Sequence, residues 1–271
     1  MPPIPRVLAI AGSDSGGGAG IQADLKAVAA CGGHGMTAVT ALTAQSTVAV
    51  TCVHVVPPDF IVEQVRAVVE DIGVDAVKTG MLGDVATIEA VDCALDLVPA
   101  QTPLVVDPVM VAESGATLLA PEARSALIAR LLPRATVVTP NVAEAAALAG
   151  KDASPPGRRV DVGALARAVY ALGPRAVVVT GGHRERATDL FFDGEDLVEI
   201  PGERHPDGAA HGSGCTHASA LATFLARGRD PLEAARGAKR VASRAVRDGL
   251  RDLGAGAGPV NALGVGSRPS G

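Results

Sequence analysis

Five consecutive residues, His211-Gly212-Ser213-Gly214-Cys215, combine types that handle a transferable anion. Small residues just before a helical stretch let the backbone come close to a ligand. The free N–H groups of a first helical turn then point at that ligand, and the helix dipole favours negative charge there. Cys215 adds a thiol to the same turn, where a cysteine pKa is expected to fall toward thiolate. A phosphate cradle that holds a potential base suggests phosphoryl transfer. Without the Gly-Ser-Gly context, Cys215 would read as an inert buried thiol.

A second glycine-rich stretch, Gly12-Ser13-Asp14-Ser15-Gly16-Gly17-Gly18-Ala19-Gly20, follows an apolar run and opens a helix. No Gly-Lys-Ser/Thr follows it, so it is not a Walker loop, and it lacks the context of a dinucleotide fingerprint. Asp24 is expected in the first turn of that helix, where a bare acid stabilises the dipole. Further polar residues follow other apolar runs: Gln45, Thr79, Asp107, Asn141 with Glu144, and Gly181-Gly182-His183. In doubly wound folds ligands bind beyond the carboxyl ends of the strands. That shared placement marks a site more strongly than any one of these residues.

The elements that must position these groups alternate. Short apolar runs at 7–11, 38–42, 76–78, 104–107, 137–139 and 176–180 read as strands. Most are Val-rich without period-2 alternation, as in a parallel sheet covered on both faces. Helices are expected near 21–31, 59–71, 84–97, 121–131, 142–149, 161–172, 214–227 and 231–250, with Asp59 and Asn141 as N-caps and Pro121 at a first helical position. The only hairpin signal links 190–192 to 198–200, and 151–159 reads as a surface loop. The expectation is one α/β domain over 1–271, with 254–271 fraying.

The 271 residues are 48% hydrophobic, enough to bury a large core, and the net charge of -5 gives no footprint for nucleic acid or an anionic membrane. Aromatic residues make up 2%, too few for base-stacking platforms. Cys31, Cys52, Cys93 and Cys215 show no metal-site spacing and are expected reduced. The first apolar run is too short for a signal peptide, so a cytoplasmic location is expected.

From Gly12 to Lys26, and again at His211 to Thr216, the chain closely resembles the hydroxymethylpyrimidine/phosphomethylpyrimidine kinases of thiamine biosynthesis, in the ribokinase-like superfamily. Thr40 to Gln45, Lys78 to Leu82, Asp107 to Met110, Thr139 to Asn141 with Glu144, and Gly181 to His183 extend the resemblance in order along nearly the whole chain. It implies a three-layer α/β/α fold with a mostly parallel central sheet. It also implies ATP- and Mg²⁺-dependent phosphorylation of 4-amino-5-hydroxymethyl-2-methylpyrimidine and its monophosphate by a homodimer, with a monovalent cation as a further candidate. Cys215 would be the base, with the amides of Gly212, Ser213, Gly214 and Cys215 as the anion hole. Gly12, Asp24, Gln45, Met81 and Val109 would line the pyrimidine pocket. Asn141, Thr180 and Gly182 would lie by the nucleotide phosphates, and Asp107 and Glu144 would organise Mg²⁺. Residue type alone leaves Met81 and Val109 as core, Gln45 as a loop amide, Glu144 as a first-turn acid and Asp107 as a turn former. The family pattern has Lys where Thr180 stands, and an apolar residue where His217 stands. Alternative readings are a pyridoxal or pyridoxine kinase, or a non-catalytic protein that binds pyrimidine or pyridoxal phosphate.

Overall fold

Val-rich runs without alternation have no polar face to show to water, so both their faces must be covered. A computed structural model describes residues 3–112, 115, 118–151, 160–181 and 187–266. The first half of the chain forms β1 (Arg6–Ala11), α1 (Gly20–Ala30), β2 (His34–Val39), β3 (Ala41–Gln45), β4 (Val50–Val55), α2 (Pro58–Asp71), β5 (Ala76–Thr79) and α3 (Val85–Ala94). Next come β6 (Leu104–Val106), α4 (Pro121–Ala126), β7 (Val137–Val138), α5 (Val142–Leu148), α6 (Val162–Tyr170) and β8 (Val177–Val179). The chain continues with β9 (Asp189–Phe192), β10 (Leu197–Ile200), α7 (Ser213–Ala226) and α8 (Pro231–Arg247).

Eight strands make one sheet in the order β10-β9-β8-β7-β6-β5-β1-β2. It is parallel from β2 to β8, and β9 and β10 add an antiparallel edge. Successive strand residues face opposite sides. Leu8, Ile10, Val106 and Val138 pack on one face with Ile61, Val65, Ile88, Ala145 and Leu165 of α2, α3, α5 and α6. Val7, Val105 and Val137 pack on the other with Val28, Leu221 and Ala238 of α1, α7 and α8. Three α/β/α layers result. No helix among the described residues is long and apolar enough to cross a membrane.

Several expectations need correction. The run 38–42 is two strands, not one. It breaks at Thr40, whose N–H donates to the Ala11 carbonyl and whose hydroxyl donates to the Met81 carbonyl. Beyond it β3 pairs antiparallel with β4 in a separate two-stranded sheet. This hairpin gave no signal because its connection, Ser46-Thr47-Val48-Ala49, contains no Gly, Asn or Pro. Asp59 is not an N-cap: Pro57 caps α2, and Pro58 with its preset φ starts the helix one residue earlier. Asn141 and Pro121 hold the positions expected of them. The 190–200 hairpin is present as β9 and β10. Of the loop read at 151–159, residues 152–159 lie outside the described residues.

The expected frayed tail is also corrected up to residue 261. Leu250 N–H donates to Pro259 O, Val260 N–H to His211 O and Asn261 N–H to Ala245 O, and the Val260 side chain is buried. A backbone whose polar groups find partners in this way does not fray. A protein ending at Leu253 is expected to melt about 5 °C or more below the full chain. It loses the burial of one valine, about 1.5–3 kcal/mol, besides these hydrogen bonds. An unchanged melting curve would restore the frayed tail.

Candidate active site

The two glycine-rich stretches interlock at the carboxyl edge of the sheet, and Asp14 is the fastener. Its Oδ1 accepts the Gly16 N–H at 2.9 Å, and its Oδ2 accepts those of Gly18 at 3.0 Å and Ala19 at 2.8 Å. His211 Nε2 lies 3.0 Å from the same Oδ2. Burial opposes the Asp14 charge, yet His211 and the backbone donors outweigh it and hold the carboxyl below its ordinary value. A Cβ on Gly18 would strike the His211 ring, and one on Gly212, whose φ is +85°, would strike the Gly18 carbonyl. Only glycine fits either position.

Gly212 caps α7 without a side-chain bond, so the turn that follows keeps its anion-binding character. One member of the expected anion hole is spent: Ser213 N–H donates to Ala210 O. Gly214 and Cys215, at the second and third helical positions, carry the remaining forward-pointing amides.

Asp24 lies in the second turn of α1 rather than the first, because the helix begins at Gly20. Its side chain is 0% exposed and is held by Lys78 Nζ at 2.8 and 3.0 Å and by Ser219 Oγ at 2.7 Å. Instead of offering a ligand a free carboxylate, it supports Lys78. Burial works against the Lys78 ammonium, but Asp24, with Cys215 and Asp107, keeps its pKa above the ordinary value. The sequence reading gave Lys78 and Ser219 no role. The available signal was the Lys in an otherwise apolar strand end, since a buried charge requires a partner.

Cys215 is partly buried and next to this pair. Burial pushes its thiol up to about 12 against the pull of Lys78, and the carboxylates of Asp24 and Asp107 add to the rise. The expected drop toward thiolate is therefore overturned. A helix N-terminus lowers a thiol pKa only where burial and nearby carboxylates do not outweigh it.

Asn141 and Glu144 form a capping box. Asn141 Oδ1 accepts the Glu144 N–H, and Glu144 Oε2 accepts the Asn141 N–H, both at 2.9 Å. Burial and then the charge of Asp107 push Glu144 up, and burial also raises Asp107 despite Lys78. Asp107 Oδ2 is buried without a hydrogen bond, as are the hydroxyls of Thr79, Thr139 and Thr216. Two close carboxylates with an orphaned oxygen fit a hard divalent cation, which takes few protein ligands and keeps several waters. No group of three or more ligating side chains occurs among the described residues. Thr180 N–H donates to Pro140 O, which sets Thr180 beside Asn141. Gly182 lies outside the described residues.

On the opposite side, a Cβ on Gly12 would come within 2.5 Å of Met81 Cε, so the thioether covers this glycine. Ser15 Oγ accepts the Gln45 N–H at 2.8 Å and lies 2.9 Å from the Gln45 carbonyl, and Thr43 Oγ1, which donates to Ser13 O at 2.9 Å, lies 3.3 Å from Gln45 Oε1. This leaves the Gln45 amide NH₂ as a donor. Val109 sits partly exposed in the turn after Asp107, its N–H donating to Asp107 O.

A family model described as phosphomethylpyrimidine kinase matches residues 14–261. The chain belongs to the phosphomethylpyrimidine kinase family. It is 46% identical to the hydroxymethylpyrimidine/phosphomethylpyrimidine kinase of Rhizobium meliloti, over 94% of this chain and 95% of that one. It is 47% identical to the thiamine biosynthesis bifunctional protein ThiED of Geobacter sulfurreducens, over 96% of this chain and 53% of that longer protein. The pyridoxal kinase of Staphylococcus aureus, solved in complex with ADP, superposes with a TM-score of 0.85 at 35% identity, covering 96% of this chain and 94% of that one. The fold is the ribokinase-like one, and the protein is a kinase that uses ATP.

In this phosphomethylpyrimidine kinase family member, replacing Lys78 with Met leaves Asp24 buried without a counter-charge, held by Ser219 Oγ. The expected cost in chemical denaturation is about 3–5 kcal/mol, and adding Asp24→Leu should recover much of it. Unchanged stability of Lys78→Met would show that the pair contributes nothing. With an aromatic disulfide at neutral pH, the exposed Cys52 and Cys93 are expected to react at least about tenfold faster than Cys215. Peptide mapping that finds Cys215 modified first would return its pKa to the lowered range.

Proposed function

We infer that this kinase transfers the γ-phosphoryl group of ATP to the hydroxymethyl oxygen of 4-amino-5-hydroxymethyl-2-methylpyrimidine, and then a second one to the resulting monophosphate, in thiamine biosynthesis. The observation that carries this reading is the approach of Asp107 Oδ2 to Gly214 at the N-terminus of α7, with the Lys78 charge acting on Cys215 in the same turn. The substrate oxygen forms a bond to phosphorus as the bond to the ADP oxygen breaks, and the hydroxyl proton leaves. In a loose transition state the protein mainly positions the reactants and stabilises charge. The amides of Gly214 and Cys215 face the transferring group. Cys215 Sγ receives the hydroxyl proton late, after its own thiol has lost a proton to solvent, an ionisation that burial and the nearby carboxylates oppose and Lys78 assists. The Gln45 NH₂ donates to the pyrimidine edge, and Met81 and Val109 flank the ring. Asp107 and Glu144 would hold Mg²⁺, which would neutralise phosphate charge, while Asn141, Thr180 and Gly182 lie toward the nucleotide. A monovalent cation would add to that neutralisation.

The whole chain acts as one catalytic domain in the cytoplasm. The β3–β4 ribbon leaves Leu42, Val53 and Val55 exposed, which supports a homodimer that covers them. The similarity to a pyridoxal kinase makes pyridoxal the competing substrate. The test supplies ATP and Mg²⁺ with the pyrimidine alcohol, its phosphate or pyridoxal, and records product masses. Both pyrimidines are expected to gain a phosphate faster than pyridoxal. Cys215→Ala is expected to lower kcat by about 100-fold or more with little change in pyrimidine KM. Faster turnover of pyridoxal would overturn the substrate, and unchanged kcat in Cys215→Ala would overturn the base.

A further inference from the structure

His217 follows the cradle by one helical turn and points into the core. It is 3% exposed, and neither of its ring nitrogens makes a hydrogen bond. A buried imidazole is normally paired, so its surroundings carry information. Its neighbour is Asp189 of β9, whose Oδ2 lies 3.5 Å from His217 Nε2 and is itself buried without a hydrogen bond. Asp189 Oδ1 accepts Lys239 Nζ from α8 at 2.6 Å and the Gly181 N–H at 2.9 Å. Asp189 therefore holds the backbone directly after Thr180. Burial opposes its charge, but His217 and Lys239 keep its carboxyl below the ordinary value.

Asp189 is thus approached from both of its oxygens, by Lys239 on Oδ1 and by His217 beside Oδ2, and passes that placement to the Gly181 N–H. The three buried groups form a short row: Lys239, Asp189, His217.

We propose that His217 is a positioning residue that, with Lys239, fixes the Asp189 carboxylate and through it the nucleotide-side backbone at Thr180–Gly181. The inference rests on the kinase reading for its site. Because the backbone hydrogen bond that Asp189 accepts comes from Gly181, the effect is expected on nucleotide and not on pyrimidine.

The test compares His217→Leu, His217→Gln, Lys239→Met and the His217→Leu/Lys239→Met double variant in the full chain. Calorimetry measures ADP binding without added metal, steady-state kinetics gives both KM values, and melting reports folding. His217→Leu is expected to weaken ADP binding and raise KM for ATP by about tenfold while pyrimidine KM stays within about twofold, a change typical of one lost coupling. His217→Gln, which can still hydrogen-bond, should recover most of the ADP affinity. The double variant should be no weaker than the worse single variant, because both substitutions break the same row. ADP affinity within about twofold of wild type in His217→Leu would overturn the proposal. So would equal loss in Leu and Gln variants, or a parallel fall of ADP affinity, pyrimidine affinity and melting temperature. Should His217→Leu fail to fold, His217→Met takes its place. A wild-type protein that binds ADP but leaves the pyrimidine unphosphorylated would refute the kinase reading alone, since the calorimetric comparison still decides on His217.

Discussion

The site depends on one carboxylate that is never free. Asp14 gathers three backbone N–H groups and the His211 ring on its two oxygens. Burying a carboxylate is costly unless it is fully hydrogen-bonded, and here it is. Glycine-rich backbone has more conformational freedom to lose than any other. Asp14 supplies the donors' common target and so orders the 12–20 loop, while His211, 197 residues away in sequence, ties that order to the turn that starts α7. Without this contact the cradle and the loop above it would be two flexible segments with no fixed relation.

A second set of buried charges lies beneath. A buried ion pair is weak evidence for stability, because desolvation offsets much of its attraction. Lys78 with Asp24 is better understood as a device that keeps an ammonium at a fixed point beside Cys215, where it opposes the rise in the thiol pKa. Lys239 with Asp189 repeats the arrangement at the other end of the site and braces Gly181. Thr180 brings no charge of its own to that end. Such fixed dipoles and charges cost no reorganisation when the phosphoryl group moves.

Most of the layers were legible in the sequence. Val-rich runs bounded by Gly, Pro or Asp marked the central strands, and Asn141 marked an N-cap, which the structure completes with Glu144 as a capping box. The misses have physical causes. β3 alternates in burial, but its exposed positions, Leu42 and Ala44, are apolar too, so the alternation was invisible by residue type. Gly256 and Pro259 look like tail residues until the backbone at 259–261 is seen to bond with His211 and Ala245. Asp24 carried the right type for a pocket residue, yet its partner, Lys78, is 54 residues away and gave no local hint of the pairing.

The sequence by itself determined what could be local: the order of strands and helices, the glycine turns, the cap at Asn141 and the placement of polar groups at strand ends. Periodicity and turn chemistry act over a few residues, so they can be read in one dimension. Only the tertiary structure decided which charges meet. It put Asp14 on His211, Asp24 on Lys78 and His217 beside Asp189, and it set burial and two carboxylates against the expected drop in the Cys215 pKa. Charge states depend on burial and on neighbours brought from distant segments, and neither quantity exists until the chain has folded.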